Sequence, residues 1–429
     1  MPVLSSEQQL SFVTLGDAEF DDFSRTHPLN NFIQSLDLAL SQRNRRIPVE
    51  LLGVRRGSEL VAAGKVTLNC GRGGYTVAAC QKGPLLDYAD QELLEFFTTE
   101  ATAYLAGRGV HELVISPYLP YVHRDADGVE HPEVEDNSSL IPRLAELGYR
   151  HHGFGMDFAN INWMFVKDLE GIANADEMLM GVSYRTRKAV RKAEKNGVFI
   201  EEATEDTLQE FFDTIENAGD EKGFTNRPLD YYRELMTTTR PGFARMMMAK
   251  IDLEAFRRDT QAALEAERTV AQGLREEIAA TGSKKKINRL KVVDEVVESY
   301  ERALADTDSL RPERPVVTLA AIYFTRFGSE VVCVIGGSRA EYVYFNGATA
   351  LYWHMLVEAL EEGYRRYNFY GTFGIEGDDD AGHGGYEFKK GFGGTVVQLI
   401  GEFSLPVRPL AYRAFRVVKK LQKLARRNR

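Results

Sequence analysis

The sequence predicts a mixed α/β protein of at least two domains, interrupted by a helical hairpin, and three observations lead there. Strand-like alternation and helical periodicity follow one another along most of the chain, the pattern of mixed sheets with helices packed on them. The 429 residues exceed what one ordinary core organises, since domains run at roughly 100–200 residues. Between 252 and 306 the alternation stops: there is no proline, and apolar residues recur three and four apart on both sides of Thr281-Gly282-Ser283-Lys284.

Residues 12–27 read as a strand followed by an acidic helix start. Residues 30–39 read as a short helix packed through Phe32, Ile33, Leu36 and Leu38, leading into Arg43, Arg45 and Arg46. The β pattern runs over 49–54, 59–68 and, after Gly71-Arg72-Gly73-Gly74, over 75–79, until Lys82-Gly83-Pro84 breaks the pairing. Leu94, Phe97, Ala101 and Leu105 give 91–106 a helical face, and 112–116 returns to a strand. The polar stretch 123–137 reads as an exposed loop, with His123 and His131 solvated rather than catalytic. A helix at 141–148 and a strand at 158–166 complete a first domain over 1–165.

A second domain covers 166–251 and 307–407. Near its start, 183–197 is a helix with six cations, one carboxylate and a glycine stop. Arg187, Arg191 and Lys195 share a face at i, i+4 and i+8, with Val190 on the buried side. This face is either simply solvated or faces a compensating anion such as nucleic-acid phosphate, because like charges this close repel. After an amphipathic helix at 208–218, Pro228 at a first helical position sets Arg227 beside a helix N-terminus. An anion there would meet both guanidinium and backbone N–H groups; the competing reading pairs Arg227 with Asp230 or Glu234.

Residues 252–306 form an antiparallel coiled-coil arm. Phe256, Ala263, Val270 and Leu274 face Leu290, Val293, Val297, Tyr300 and Leu304, with polar interruptions at Thr260 and Glu267. Strands at 243–251 and 316–327 flank it, and its tip carries Lys284, Lys285, Lys286 and Arg289, suited to RNA or lipid headgroups. A strand at 331–337, a helix at 348–363 and a strand at 366–370 follow. The stretch 371–387 is rich in Gly and Asp and reads as a loop that returns through Phe388-Lys389-Lys390-Gly391-Phe392-Gly393-Gly394. Two cations between aromatic rings, followed by glycine backbone whose N–H groups can approach a phosphate or carboxylate, suit an anion. The alternative is a surface loop with solvated lysines. A strand at 400–405 and a basic helix over 408–429 end the chain.

The formal charge of −10 is uneven: nine cations and no carboxylate follow Glu402, which leaves −19 on the rest. That end suits polyanions, including an anionic membrane surface met peripherally. No apolar run approaches the ~20 residues that cross a bilayer, and the first residues lack a signal-peptide pattern. Cys70, Cys80 and Cys333 show neither CxxC spacing nor nearby His, so no disulfide framework or zinc knuckle is expected. The chain reads as cytosolic and reduced.

Four separated features together resemble the FemABX family, peptidyltransferases that use aminoacyl-tRNA to build peptidoglycan cross-bridges. These are Asn31-Phe32-Ile33-Gln34-Ser35, the stretch from Tyr184 to Val198, the inserted hairpin, and Tyr386-Glu387-Phe388-Lys389-Lys390-Gly391-Phe392-Gly393-Gly394. The resemblance implies two tandem GNAT-like acyltransferase domains, with the arm marking the branch that acts on the lipid-linked precursor. It assigns diphosphate binding to Arg227 with Tyr231, and charge stabilisation to Lys389 with Lys390 beside it. Arg187, Arg191, Lys195, Lys284, Lys285 and Lys286 would meet tRNA. The family's precursor-binding Lys on the helix after the first motif has no counterpart; Ser41-Gln42-Arg43 stands there, leaving Arg43 as the nearest cation. The implied reaction is attack of a stem-peptide amino group on an aminoacyl ester, which needs alignment and oxyanion stabilisation but no metal or redox cofactor. No general base is assigned; Asp378-Asp379-Asp380 offers carboxylates, more often solvated in such a loop.

Two other readings compete. An acyl-CoA-dependent acetyltransferase would share the fold, but no pyrophosphate-cradling Arg/Gln-x-x-Gly-x-Gly/Ala turn before a helix is expected, Arg72-Gly73-Gly74 being a hairpin turn that leads to a strand. A non-enzymatic coiled-coil adaptor would depend on 252–306 and not on Lys389.

Overall fold

The computed structural model describes residues 9–71, 74–131, 136–154, 161–222, 226–312, 314–372 and 380–412, without the side chains of 218–222 and 380–383. β1 (Leu10–Thr14) and α1 (Asp17–Thr26) lead through a 3₁₀ turn at Phe32–Gln34 to α2 (Leu36–Asn44). β2 (Val49–Arg56), β3 (Glu59–Cys70), β4 (Thr76–Gln81) and β5 (Leu85–Leu86) precede α3 (Gln91–Gly107), β6 (Glu112–Ser116), β7 (Pro120–Asp125), α4 (Leu140–Glu146) and β8 (Arg150–His151). Next come β9 (Trp163–Asp168), α5 (Ala175–Gly181), α6 (Tyr184–Lys195), β10 (Phe199–Glu202), α7 (Leu208–Lys222), α8 (Leu229–Thr238) and β11 (Ala244–Asp252). The arm is α9 (Leu253–Thr281) and α10 (Lys284–Asp308). The remaining elements are β12 (Val316–Phe327), β13 (Glu330–Ser338), α11 (Gly347–Glu361), β14 (Arg366–Gly371), α12 (Asp380–Lys390), β15 (Thr395–Leu399) and β16 (Phe403–Pro406).

These strands form two mixed sheets. The first runs β1-β2-β3-β4-β6-β16-β8, with β5 on β3; the second runs β10-β11-β12-β13-β14-β9-β15-β7. β4–β6 and β13–β14 are the parallel pairs. Strand membership does not follow the linear division expected at residue 165. β7 pairs with β15 of the second sheet, and β16, from near the end of the chain, pairs with β6 and β8 of the first. Each sheet is thus completed by a strand from the other half, so neither closes its backbone ladder alone.

The helix expected at 30–39 starts later. Asn31 Oδ1 accepts the Gln34 N–H at 3.1 Å and Ser35 Oγ accepts the Leu38 N–H at 3.2 Å, so a 3₁₀ turn and a separately capped helix replace one continuous helix. The Gln34 amide ties this segment to the first sheet, accepting from Lys65 N–H at 2.7 Å and donating to Gln81 O at 2.7 Å. Phe32 and Leu38 meanwhile pack into the core built by Phe211 and Tyr232 of α7 and α8. α2 is therefore held by one sheet and buried against helices of the other.

Three further expectations are corrected. Of the loop expected at 123–137, residues 123–125 belong to the strand β7, and His123, half-buried there, has its pKa lowered by burial. Residues 380–390 are helix rather than loop: Phe388 and Tyr386 pack against a core containing Phe369 and Phe392, and that burial outweighs the poor helix propensity of glycine. In the arm, the antiparallel pairing is as expected, with Arg268–Glu301 at 2.6 Å and Arg275–Asp294 at 2.7 Å crossing it. Its seam, however, runs through Thr260, Leu264, Ala271 and Leu274 against Val293, and leaves Val270 exposed. The root of α9 sets this register, because Leu253 and Phe256 are anchored in the second sheet's core.

Candidate functional site

Two guanidinium groups meet on one phenol ring. α8 begins after Pro228, and Tyr231 on its first turn is flanked by Arg227, whose Cζ lies 6.0 Å from the ring centre, and by Arg45, at 4.9 Å. Arg45 caps the C-terminus of α2 and pairs with Glu234 at 3.2 Å. Asp230 is taken by Arg233 at 2.6 Å, so neither carboxylate that competed for Arg227 holds it, and Arg227 is exposed. Burial raises the Tyr231 pKa, against the pull of both arginines, so the phenol stays neutral and able to donate.

Behind Arg45 stands Lys65 of β3, only 3 % exposed, with Nζ donating to Gln42 Oε1 at 2.8 Å. Burial and then the nearby Arg45 charge lower its pKa to about 8, with Cys80 pulling the other way. Arg45 and Arg227 form a cationic pair drawn from both halves, partly neutralised by Glu234, with buried Lys65 within electrostatic reach of Arg45. Such a pair holds a multiply charged oxyanion through charge-assisted hydrogen bonds. Sequence reasoning chose Arg43 for this role, but Arg43 pairs with Asp17 at 2.7 Å. Arg45 is two residues on, past the last turn of α2, and only the helix end turns it towards α8.

Tyr370 and Gly371, at the end of β14, join this cluster to the glycine-rich stretch. Phe32 meets Tyr370 edge-on with ring centres 5.9 Å apart, and Tyr370 lies within the electrostatic reach of Tyr231. Tyr370 holds φ at 60°, a left-handed conformation rare for an aromatic residue, with its N–H donating to Asn368 Oδ1 at 2.7 Å. Lys389 of α12 donates from Nζ to the Gly371 carbonyl. Lys389 thus meets the residue that follows Tyr370 in β14. Lys390 points elsewhere, pairing with Asp127 at 2.6 Å, while Tyr386 Oη donates to Ala126 O at 2.6 Å. The expected cradle of backbone N–H groups is not open either. The amides of Gly391, Phe392 and Gly393 donate to Glu387, Lys389 and Lys390 carbonyls at 3.0–3.1 Å. Gly391 and Gly394 serve packing instead, since a Cβ would come within 2.3 Å of Thr186 Oγ1 and of Val166 O respectively.

α6 starts where α12 ends, with the Ser183 N–H on Gly391 O at 2.9 Å and its Oγ capping Thr186. Thr186, Val190 and Ala193 are buried, which turns Arg191 and Lys195 outward, while Arg187 is half-buried against Met180. At the arm's tip Lys284 and Lys285 are exposed, whereas Lys286 pairs with Glu277 at 2.9 Å. The tip and α6 are not brought together with the Tyr231 cluster. Asp378 and Asp379 lie outside the described residues, as do the side chain of Asp380 and residues 413–429 of the expected basic helix. Against expectation, Arg150-His151-His152-Gly153-Phe154-Gly155 carries the string of a CoA turn; its last glycine lies outside the described residues, and His151 Nε2 is bonded to Ile400 O at 3.0 Å.

The sequence profile of the FemAB family matches residues 15–420. Among curated proteins the chain is similar to Aminoacyltransferase FemA of Staphylococcus epidermidis, 26% identical over 429 residues, 96% of this chain and 100% of that protein. It is equally similar to Aminoacyltransferase FemA of Staphylococcus aureus (strain bovine RF122 / ET3-1), 26% identical over 433 residues, 96% of this chain and 99% of that protein. Among solved structures it shares the fold of the crystal structure of FemX, with a TM-score of 0.74 and 21% identity over 94% of this chain and 99% of that one. The architecture is two mixed sheets that exchange strands, with the helical pair inserted between β11 and β12.

Proposed function

Because the chain belongs to the FemAB family and is an aminoacyltransferase, we propose that it moves an amino acid from aminoacyl-tRNA onto the stem-peptide amino group of a peptidoglycan precursor. The convergence of Arg45 and Arg227 on Tyr231 carries this reading. A precursor joined to its carrier by a diphosphate presents two adjacent phosphoryl groups, which suits a pair of forked cations better than it suits a single carboxylate. The arm favours the lipid-linked form of the precursor over the nucleotide-linked one.

In the reaction, the amine nitrogen attacks the ester carbonyl, the tetrahedral oxyanion collapses, the C–O bond to the ribose breaks, and the ribose oxygen takes the proton released by the amine. The ester is already activated, so positioning and charge stabilisation supply most of the catalysis. Lys389, fixed against the Gly371 carbonyl, supplies an ammonium for the developing oxyanion. Arg187, Arg191 and Lys195 on α6, and Lys284 to Lys286 at the arm's tip, supply the tRNA-facing charge. No helix among the described residues is long and apolar enough to cross a membrane. The nine cations after Glu402 suit a peripheral, cytoplasmic-face contact with anionic lipid.

Incubation of the protein with a mixture of charged tRNAs and lipid-linked precursor, followed by mass spectrometry, tests the reading. A precursor heavier by one or more amino-acid residues, dependent on charged tRNA, is the expected product. An unmodified precursor, or one acetylated from acetyl-CoA instead, would sink it.

A further inference from the structure

Between α6 and the root of the arm lies a cleft of about 380 Å³, within the size range of small-ligand sites. Two ammonium groups line it. Lys192 Nζ stands 3.4 Å from the centre of the Tyr344 ring, and Lys195 Nζ stands 5.1 Å from that of Tyr300. Neither lysine makes an ion pair among the described residues, although Asp306 lies within electrostatic reach of Lys192. Asn196, the C-cap of α6, also lines the cleft, and its Nδ2 is buried with no hydrogen-bond partner. Phe199 at the sheet edge is 41 % exposed and pairs with no other ring among the described residues. Asp252 and Asp259 contribute acceptors; Asp252 also caps α9, and Asp259 touches exposed Arg258 at 3.1 Å.

A bare phosphate would be repelled by the two aspartates. A nucleobase edge carries both donors and acceptors and has a face that stacks, so an aromatic surface, an unsatisfied amide donor, ammonium groups and carboxylates within one volume match it. The flanking charge is arranged for the rest of a strand: Lys188 and Arg191 are exposed on the preceding turns of α6. The 12 residues of α6 reach about 18 Å from the end of α12, where Lys389 sits, to the cleft. That span is within reach of a short single strand.

We infer that this cleft holds an unpaired nucleotide of the RNA donor, upstream of the aminoacylated end that lies at Lys389. The inference rests on reading the donor as aminoacyl-tRNA. Phe199 supplies the stacking face, Asn196 Nδ2 reads a base acceptor, and Lys195 meets the adjoining phosphate. The cleft selects donors with a free 3′ strand rather than a paired end.

Fluorescence anisotropy on the full chain tests this, with two RNA stem–loops as probes, one ending in a single-stranded 3′ overhang and one blunt. The wild type is expected to prefer the overhang RNA. Phe199→Ala and Asn196→Ala should each weaken overhang binding, by roughly tenfold for the stacking residue, and leave blunt binding unchanged. Lys195→Met, at an exposed position, gives a third test whose folding is not in question and should also narrow the preference. A preference that survives all three variants, or equal weakening of both RNAs, overturns the cleft while leaving the tRNA reading intact. A wild type that binds neither RNA and shows no tRNA-dependent transfer overturns the donor reading, and the cleft with it.

Discussion

Arg240 holds the buried carboxylate of Asp37 from two directions: its backbone N–H donates to Oδ1 at 2.8 Å and its guanidinium contacts both oxygens, with Nε at 3.1 Å from each. The same guanidinium reaches Asp21 of α1 at 2.6 Å. Asp37 lies on the first turn of α2, and Arg240 follows α8 directly. The clamp therefore fixes the helix that ends in Arg45 relative to the helix that carries Tyr231.

Arg240→Ala leaves Asp37, 2 % exposed, as an unpaired buried charge. The expected loss is about 2–3 kcal/mol in denaturant unfolding, at the low end for such pairs because Arg240 itself keeps access to water. Misplacing Arg45 should also raise the precursor KM more than it lowers kcat, with partial rescue by Arg240→Lys. Steady-state kinetics with an unchanged KM would separate the clamp from the site.

Arg45→Ala and Arg227→Ala should each reduce kcat/KM for the precursor by roughly tenfold to a hundredfold, the value of a charge-assisted contact. Arg43→Ala removes only a solvent-accessible pair with Asp17, worth under about 1 kcal/mol, and should stay within a few-fold of wild type. Transfer assays over a range of precursor concentrations decide between Arg43 and Arg45.

Lys389→Ala should lower kcat by about a hundredfold or more if the ammonium stabilises developing charge, with little change in unfolding midpoint. Lys390→Ala breaks an ion pair to exposed Asp127 and should barely alter turnover. Single-turnover measurements on both variants isolate the chemical step; equal rates would remove Lys389 from the reaction.

Lys65 gives the stability of the fold a pH dependence. Its folded pKa of about 8 lies below the ordinary 10.5, so between those values the unfolded chain holds a proton that the folded chain lacks, and this group's contribution to stability rises with pH. Denaturant unfolding is therefore expected to show a stability that climbs as pH rises from about 8, by less than about 1.4 kcal/mol per pH unit. In Lys65→Met that climb should be missing.

Truncation after Arg408 keeps β16 and removes all but one of the nine cations that follow Glu402. Each Lys or Arg near an anionic surface contributes about 1 kcal/mol, so sedimentation with anionic vesicles at physiological salt should fall steeply. Unchanged sedimentation would assign the tail to the acidic body instead.

The sequence by itself determined what local patterns specify. The alternation of strands and helices, the arm between two strands, the basic face of α6 with Val190 inward, and Pro228 opening α8 beside Arg227 each depend on spacing along a few turns, and each is found. Tertiary structure decided what depends on partners distant in sequence. α12 forms despite its glycines because Phe388 finds Tyr352 and Phe392. β7 is a strand because β15, about 270 residues later, offers it a ladder. Arg45 rather than Arg43 reaches Tyr231 because α2 is stapled by Gln34 to one sheet and clamped by Arg240 to the other half. Which cation faces Tyr231 is set by the end of a helix whose rotation only those long-range contacts fix, and no residue spacing along the chain encodes it.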